Sequence, residues 1–501
     1  MEKLKFFING EWRESKTDKY YDIYNPSTGE IIAKSPCCTK GEVEEAIGAA
    51  KEAYKEWSAI PVMKRVQVLY KFRDLLDERM DELVEILCKE HGKNWAEAHG
   101  DLLKVKEPVE LACSAPLLMM GESLMNTSTG YDTVLYRESL GVFAGIAPFN
   151  FPGMIPMGWM VPLCIATGNT MVLKASSTTP MTSLKLAELL QEAGLPKGVL
   201  NIVTCSRNEA EILLTHPDVK GITFVGSTAV GLHVYATGAS NGKRVQALCE
   251  AKNHALVLDD CMLERTVRGI VNSAFGCAGE RCMALPALCV QESIADRFVE
   301  KLLEISKELK IGPAYDKTTD LGPVVTESHK KHVEGWIQKG VDEGAKLILD
   351  GRGATVSGFE NGFYIGPTIF DHVTEDMEIG QQEVFGPVLC IKRVKDFEEG
   401  LRMMNDNEFA NGSVIYTSSG YYSREFARRT DGGMVGINVG VPVPVGLFPF
   451  NGHKNSFFGD LHALGKDGVK FFTEAKVVTS TWFTEEDNKA KVDTWDGSVV
   501  K

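Results

Sequence analysis

The chain has 501 residues, 44% of them hydrophobic and 24% charged, with a formal net charge of −14. That length predicts two or more domains, and the acidic balance excludes nucleic acid and anionic membrane as general partners, since both need a basic surface. No apolar run is long enough to span a bilayer, the N-terminus has no signal or transit pattern, and twelve irregularly spaced cysteines read as free thiols in a reducing compartment. A cytoplasmic protein without a metal site is expected.

Short β segments are expected at 6–12 around the Asn9-Gly10 turn, at 20–24 and at 31–33. Thr39 and Glu42 form a capping box ahead of an apolar stripe at Val43, Ile47, Ala50, Tyr54 and Trp57. Further helical patterns over 63–90 and 95–113 complete a helical wall with no evident chemistry. Residues 121–130 are polar and turn-rich, and 131–139 read as extended.

From Gly141 the pattern changes. Strands at 142–147, 170–173, 199–203, 222–225 and 245–249 alternate with helices near 153–166, 181–193, 207–215 and 228–238. This alternation predicts a parallel sheet covered on both faces, with ligands beyond the carboxyl ends of its strands. Three such ends carry polar groups: Asn150 between Pro148 and Pro152, Lys174 with Ser177, and the helix-opening run Gly226-Ser227-Thr228-Ala229-Val230-Gly231. Glycines and helix N–H groups suit a phosphate, although a glycine-bounded turn alone is a weak signal.

Residues 275–284 read FGCAGERCMA. Small residues crowd Cys282 and allow close approach of a ligand, and Arg281 is a neighbouring cation of the kind that lowers a thiol pKa. Taken alone, the commoner reading of Cys282 is a small buried hydrophobe. A second αβ region follows, with a helix near 293–309, strands near 345–348 and 389–394, and Glu383-Val384-Phe385-Gly386-Pro387 between them. His329 and His332 are expected on an exposed helix face. A Gly/Pro-rich loop at 440–452, an extended segment at 475–483 and a disordered charged tail at 486–501 close the chain.

Taken together, PFNFP at 148–152, VLK at 172–174, FVGSTAVG at 224–231, GERC at 279–282 and EVFGP at 383–387 resemble the aldehyde dehydrogenase superfamily along essentially the whole chain. The runs IAPFNFP, EAKNH, AGERCMA and SFFGDLHALGKDGVKFF are most similar to its CoA-acylating branch, the methylmalonate-semialdehyde dehydrogenases. The resemblance implies an α/β fold with a Rossmann-type cofactor domain (1–120 and 141–247), an α/β catalytic domain (248–452) and small β oligomerisation segments (121–140 and 467–485). It implies NAD- or NADP-dependent oxidation of a short semialdehyde, such as malonate or methylmalonate semialdehyde, by a homodimer or homotetramer. Cys282 would form a thiohemiacetal and then a thioester that coenzyme A accepts, and Asn150 with the N–H of Cys282 would hold the oxyanion. Lys174 and Ser177 would lie at the adenosine ribose and Glu383 with Phe385 at the nicotinamide ribose. Ala147, Phe149, Gly226, Ser227, Gly231 and Cys249 would line the rest of the cofactor site. Arg281 and Lys104 would face a substrate carboxylate.

The sequence departs from that pattern in four places. Leu248 stands where hydrolytic members carry the glutamate that activates water, and Glu250 stands where glycine is usual, two residues along a strand and so on the same face. Glu250 is therefore a candidate replacement base. Lys104 replaces a bidentate arginine with a point charge, which leaves a neutral aldehyde such as propanal open. Ser177 replaces a glutamate and leaves room for the 2′-phosphate of NADP. The helix after Asn150 is one residue longer than usual, over 153–162. The alternatives are an NADP-linked hydrolytic semialdehyde dehydrogenase using Glu250, and a non-catalytic oligomer that keeps the fold.

Overall fold

The computed structural model describes residues 2–489, 491–492 and 499–500. Capping chemistry starts the helical wall where expected: the Thr39 hydroxyl accepts from Glu42 N–H while the Glu42 carboxylate accepts from Thr39 N–H at 2.7 Å. The helix Lys40–Ala59 then buries Val43, Ala46, Ile47, Ala50 and Trp57. The long pattern over 63–90 is two helices, Val62–Glu78 and Met80–His91, which meet at Arg79. Gly92 ends the second in the left-handed conformation (φ 93°) and turns the chain into Trp95–Cys113.

The first sheet has eight strands. Its five parallel members run in the order Arg244–Leu248, Val219–Val225, Val142–Ile146, Thr170–Lys174, Leu200–Val203. By position in the chain that is 5-4-1-2-3, the doubly wound order whose direction reverses between Val142–Ile146 and Val219–Val225. Phe457–Gly459 closes one edge and Phe6–Ile8 with Glu11–Arg13 the other, all antiparallel. The helix after Asn150 opens with a wide π-helical turn, Met154–Met160, in which Val161 N–H reaches the Pro156 carbonyl.

A second sheet of seven strands has the order Lys346–Leu349, Thr368–Asp371, Val388–Val394, Ala287–Gln291, His254–Val257, Gly412–Tyr416, Met434–Ile437. His254, Ala287, Cys390 and Ser413 are in register, so the loops that enter these strands share one edge. That edge faces the carboxyl ends of the first sheet. A third, antiparallel sheet joins Thr473–Thr481 to Tyr131–Ser139 and Ser123–Ser128 and stands apart from both. Within the tail expected to be disordered, Glu485–Lys489 forms a 3-10 turn and Lys491–Val492 pairs with Val499–Val500; the rest lies outside the described residues.

Candidate active site

At the reversal point of the first sheet the turns after Val142–Ile146 and Val219–Val225 diverge and leave a crevice. Its inner part is a cavity of about 330 Å³ lined by residues that include Asn150, Ser227, Glu250, Cys282 and Glu383. A second cavity of about 280 Å³, lined by Ala147, Lys174 and Arg207 among others, shares Val225, Gly226 and Ser227 with the first. Together they make one elongated groove with Cys282 at its inner end.

The nucleophile loop is wound left-handed. Cys277 (φ 50°), Ala278 (φ 52°) and Gly279 (φ 74°) follow one another, a conformation costing roughly 1–3 kcal/mol for each non-glycine residue. Side chains from distant elements hold it. Glu97 accepts from Cys277 N–H at 2.7 Å, Asn253 donates to the carbonyls of Cys282 and Ala284 (2.9 and 2.8 Å), and Asn411 donates to that of Cys282 (3.1 Å). A Cβ on Gly279 would lie 2.0 Å from the Gly386 carbonyl oxygen, so the nucleophile loop and the EVFGP turn touch backbone to backbone. Asn150 Nδ2 donates to the Glu280 carbonyl at 3.1 Å. The amide and the cysteine, distant in sequence, thus meet at one wall of one cavity.

Burial governs the charges here. The Cys282 thiol is pushed up to about 12, first by desolvation and then by Glu383, against the smaller pull of the N–H groups of Cys282 and Met283 and of Arg281. The lowered thiol pKa expected from the neighbouring cation is therefore not what the resting site shows. Glu383 is itself raised to about 8, by burial and then by Glu250, and its Oε1 accepts from Ala251 N–H at 3.3 Å. Glu280 lies wholly inside, where desolvation holds its carboxyl well above the usual range. Glu250 is turned to the head of the helix Thr228–Ser240, where its Oε2 accepts from Thr228 N–H at 2.7 Å. It thus takes the capping role that Ser227 leaves open, since the Ser227 hydroxyl makes no cap hydrogen bond.

Cys282, Asn150, Phe149, Gly226, Ser227, Cys249, Glu250, Glu383 and Phe385 line the inner cavity, and Ala147 and Lys174 the outer one. The other expected residues, Gly231, Ser177, Arg281 and Lys104, line neither cavity. Gly231 packs a helix on its strand, where a Cβ would meet Cys249 Sγ at 2.2 Å. Arg281 is tied to Glu97 (3.0 Å) and to Cys277 Sγ (3.2 Å), and Lys104 to Glu107 (2.8 Å). His332 is exposed as expected, but His329 turns inward and donates to the Phe385 carbonyl at 2.7 Å. The helical wall also bears on the site, because it supplies Lys93, Glu97 and Asp101 to the loops that carry Asn150 and Cys282. Their only sequence signal is weak, three charges spaced four apart at 93, 97 and 101, ahead of further charges at 104, 106, 107 and 110 on the helix Trp95–Cys113.

The family profile for aldehyde dehydrogenases matches residues 12–478. The chain belongs to the aldehyde dehydrogenase family. It is 50% identical over 480 residues to malonate-semialdehyde dehydrogenase 2 of Bacillus thuringiensis (strain Al Hakam), across 96% of this chain and 98% of the relative. Malonate-semialdehyde dehydrogenase 1 of Oceanobacillus iheyensis is equally similar, at 50% over 480 residues. Two solved structures superpose with a TM-score of 0.95 and 41% identity. One is the methylmalonate-semialdehyde dehydrogenase of Oceanimonas doudoroffii, with 98% of this chain and 100% of that chain covered. The other, from Sinorhizobium meliloti 1021, is assigned by name to the same enzyme and is complexed with NAD, with coverages of 97% and 99%. This aldehyde dehydrogenase is thus an oxidoreductase working with NAD(P), and its two joined cavities suit an elongated dinucleotide.

Because the resting thiol is protonated, alkylation of Cys282 by iodoacetamide, followed by mass spectrometry, is expected to accelerate about tenfold per pH unit from pH 7 to 10 with no plateau. A plateau near neutrality would mean that the resting enzyme already stabilises the thiolate.

Proposed function

We propose that the enzyme oxidises a short semialdehyde, of the malonate or methylmalonate semialdehyde class, and passes the acyl group from Cys282 to coenzyme A. The observation that carries the acyl acceptor is Leu248. Its side chain is buried in the main apolar core, at the position where hydrolytic members of the family carry the water-activating carboxylate. The names of the relatives support the substrate class.

Cys282 Sγ, once deprotonated, forms a bond to the aldehyde carbon, and the carbonyl π electrons move to oxygen. The Asn150 amide, whose other N–H is spent on Glu280, and the N–H of Cys282 stabilise that oxyanion. A dinucleotide held along the two cavities would supply the hydride acceptor, so that re-formation of the carbonyl would leave a thioester on Cys282. A coenzyme A thiolate then displaces the Cys282 thiolate. Lys174 in the outer cavity, held below its ordinary pKa by burial, would meet the adenosine ribose, and Glu383 the nicotinamide ribose. Lys104 would hold the substrate carboxylate after exchanging its present partner, with Arg281 adding positive charge from its place beside Glu97. The hydrolytic reading keeps one supporting observation, that Glu250 lines the same cavity as Cys282.

A homo-oligomer in the cytoplasm completes the reading. Val435 and Ile437 are exposed on the edge strand Met434–Ile437, while Leu124, Met125, Tyr136 and Val477 are exposed on the separate antiparallel sheet. Two open apolar surfaces of this kind suit a second copy of the chain. Cysteines that are all free accord with a reducing compartment.

Three measurements test these points. NAD(P)H formation is expected to need coenzyme A and to survive in Glu250→Gln; full activity without coenzyme A that vanishes in the variant would establish hydrolysis. Ser177→Glu is expected to weaken NADP binding about tenfold or more, through repulsion of the 2′-phosphate, while NAD binding changes little. Ile437→Glu is expected to lower the mass seen by light scattering, and an unchanged mass would remove this edge from the interface.

A further inference from the structure

Lys93 and Asp101 are each 1% exposed and pair at 3.0 Å inside the helical wall. Placing two charges there carries a desolvation penalty that their mutual attraction alone seldom outweighs. Apolar residues of similar size would fill the space as well, so the pair invites an explanation beyond packing.

The hydrogen bonds supply one. Lys93 Nζ donates to the carbonyl of Asn150 at 2.7 Å and lies 3.7 Å from the centre of the Phe151 ring. Asp101 Oδ1 accepts from Met154 N–H at 2.7 Å. A Cβ on Gly153 would sit 3.0 Å from that same oxygen, so glycine there lets the turn settle on the carboxylate. The neighbouring carbonyls are held from elsewhere, that of Phe149 by the Thr179 hydroxyl (2.8 Å) and that of Pro152 by the Ser183 hydroxyl (2.7 Å). Among the described bonds, Lys93 is what holds the carbonyl of Asn150 itself. The direction of that carbonyl fixes the peptide plane after Asn150, and with it the angle at which the Asn150 side chain leaves the backbone. Lys93 is placed for this by its joint: Gly92 is left-handed and Asn94 caps the next helix, so the lysine lies in a two-helix corner with little freedom.

We propose that Lys93, oriented by Asp101, is a positioning residue that sets the Asn150 amide against the reacting carbonyl. The ammonium touches neither substrate nor thiol; it acts through the peptide bond of Asn150. The proposal rests on the reading of Asn150 as an oxyanion donor, and the test separates the two.

The test is a mutant cycle on the full-length enzyme. Lys93→Met with Asp101→Asn removes both charges together, and the new amide still accepts from Met154 N–H. Asn150→Ala alone is expected to lower kcat about 10²–10³-fold, as loss of an oxyanion donor does; if it does not, the reading of Asn150 fails and the Lys93 proposal with it. The double variant is expected to lower kcat by about tenfold or more, with KM and dinucleotide affinity (tryptophan fluorescence) within about twofold. Adding Asn150→Ala to it is then expected to change kcat far less than in the parent, because the amide is already misplaced. Full additivity, or an unchanged kcat in the double variant, overturns the proposal. Should the double variant not fold, Lys93→Arg alone decides. It keeps a cation beside Asp101 but replaces the donor that meets the Asn150 carbonyl, so kcat is expected to fall about tenfold or more, with little further loss on adding Asn150→Ala; a smaller fall, or full additivity with Asn150→Ala, would overturn the proposal.

Discussion

The site depends on the hydrogen bond between the Asn150 amide and the Glu280 carbonyl, 3.1 Å long, which bridges two sheets that meet end to end. One end belongs to strands whose carboxyl termini diverge at a reversal of strand order, and the other to strands entered through the nucleophile and EVFGP loops. A reaction centre at such a joint needs both loops fixed to well under an ångström, since misplacement of about 1 Å costs on the order of a hundredfold in rate. Sheet packing alone does not give that precision. Buried polar side chains do: Glu97, Asn253 and Asn411 on the cysteine side, and Lys93, Asp101, Thr179 and Ser183 on the asparagine side.

The same enclosure that fixes the loops sets their electrostatics. A thiol in apolar surroundings resists ionisation, Glu383 nearby adds to that resistance rather than relieving it, and Glu250 acts in the same sense on Glu383. The resting site therefore favours the protonated forms, with Cys282 neutral, Glu383 about half protonated near pH 8 and the buried Glu280 carboxyl shifted in the same direction. Positive charge brought into the cavity, such as an oxidised nicotinamide ring, would favour the thiolate by the ordinary rule for an opposite neighbouring charge. Reactivity in such a site belongs to the loaded enzyme.

Much of this was legible in the sequence because the relevant signals are local. Thr39 and Glu42 cap a helix three residues apart, Asn9-Gly10 turns a hairpin, and five apolar strands alternating with helices specify a doubly wound sheet. Asn150, Cys282 and Glu383 stood out because each lies where a regular element ends. What the sequence hid are contacts between elements far apart in the chain. Gly231 looked like a phosphate glycine and instead makes room for Cys249. His329 looked exposed by periodicity, yet it reaches the Phe385 carbonyl because the EVFGP turn folds back over that helix. Lys93 and Asp101 lie in a helical wall that showed no evident chemistry, and the turn after Asn150 closes over them.

Substrate charge follows the same logic of which partners can be exchanged. Both cations assigned to a carboxylate already hold one. The Lys104–Glu107 pair is about one-third exposed on each side, and ion pairs in that setting contribute only about 0–1 kcal/mol, so a substrate carboxylate can compete with Glu107 at small expense. The Arg281–Glu97 pair is mostly buried, and Glu97 also holds Cys277 N–H while Arg281 holds Cys277 Sγ. Freeing that guanidinium would loosen the left-handed turn that presents Cys282. Of the two pairs, Lys104–Glu107 is the easier to exchange, whereas Arg281 contributes first to the shape of the Cys282 loop. A lysine at position 104 then has a physical rationale: a single flexible ammonium can change partners where a bidentate fork, locked to its own carboxylate, cannot.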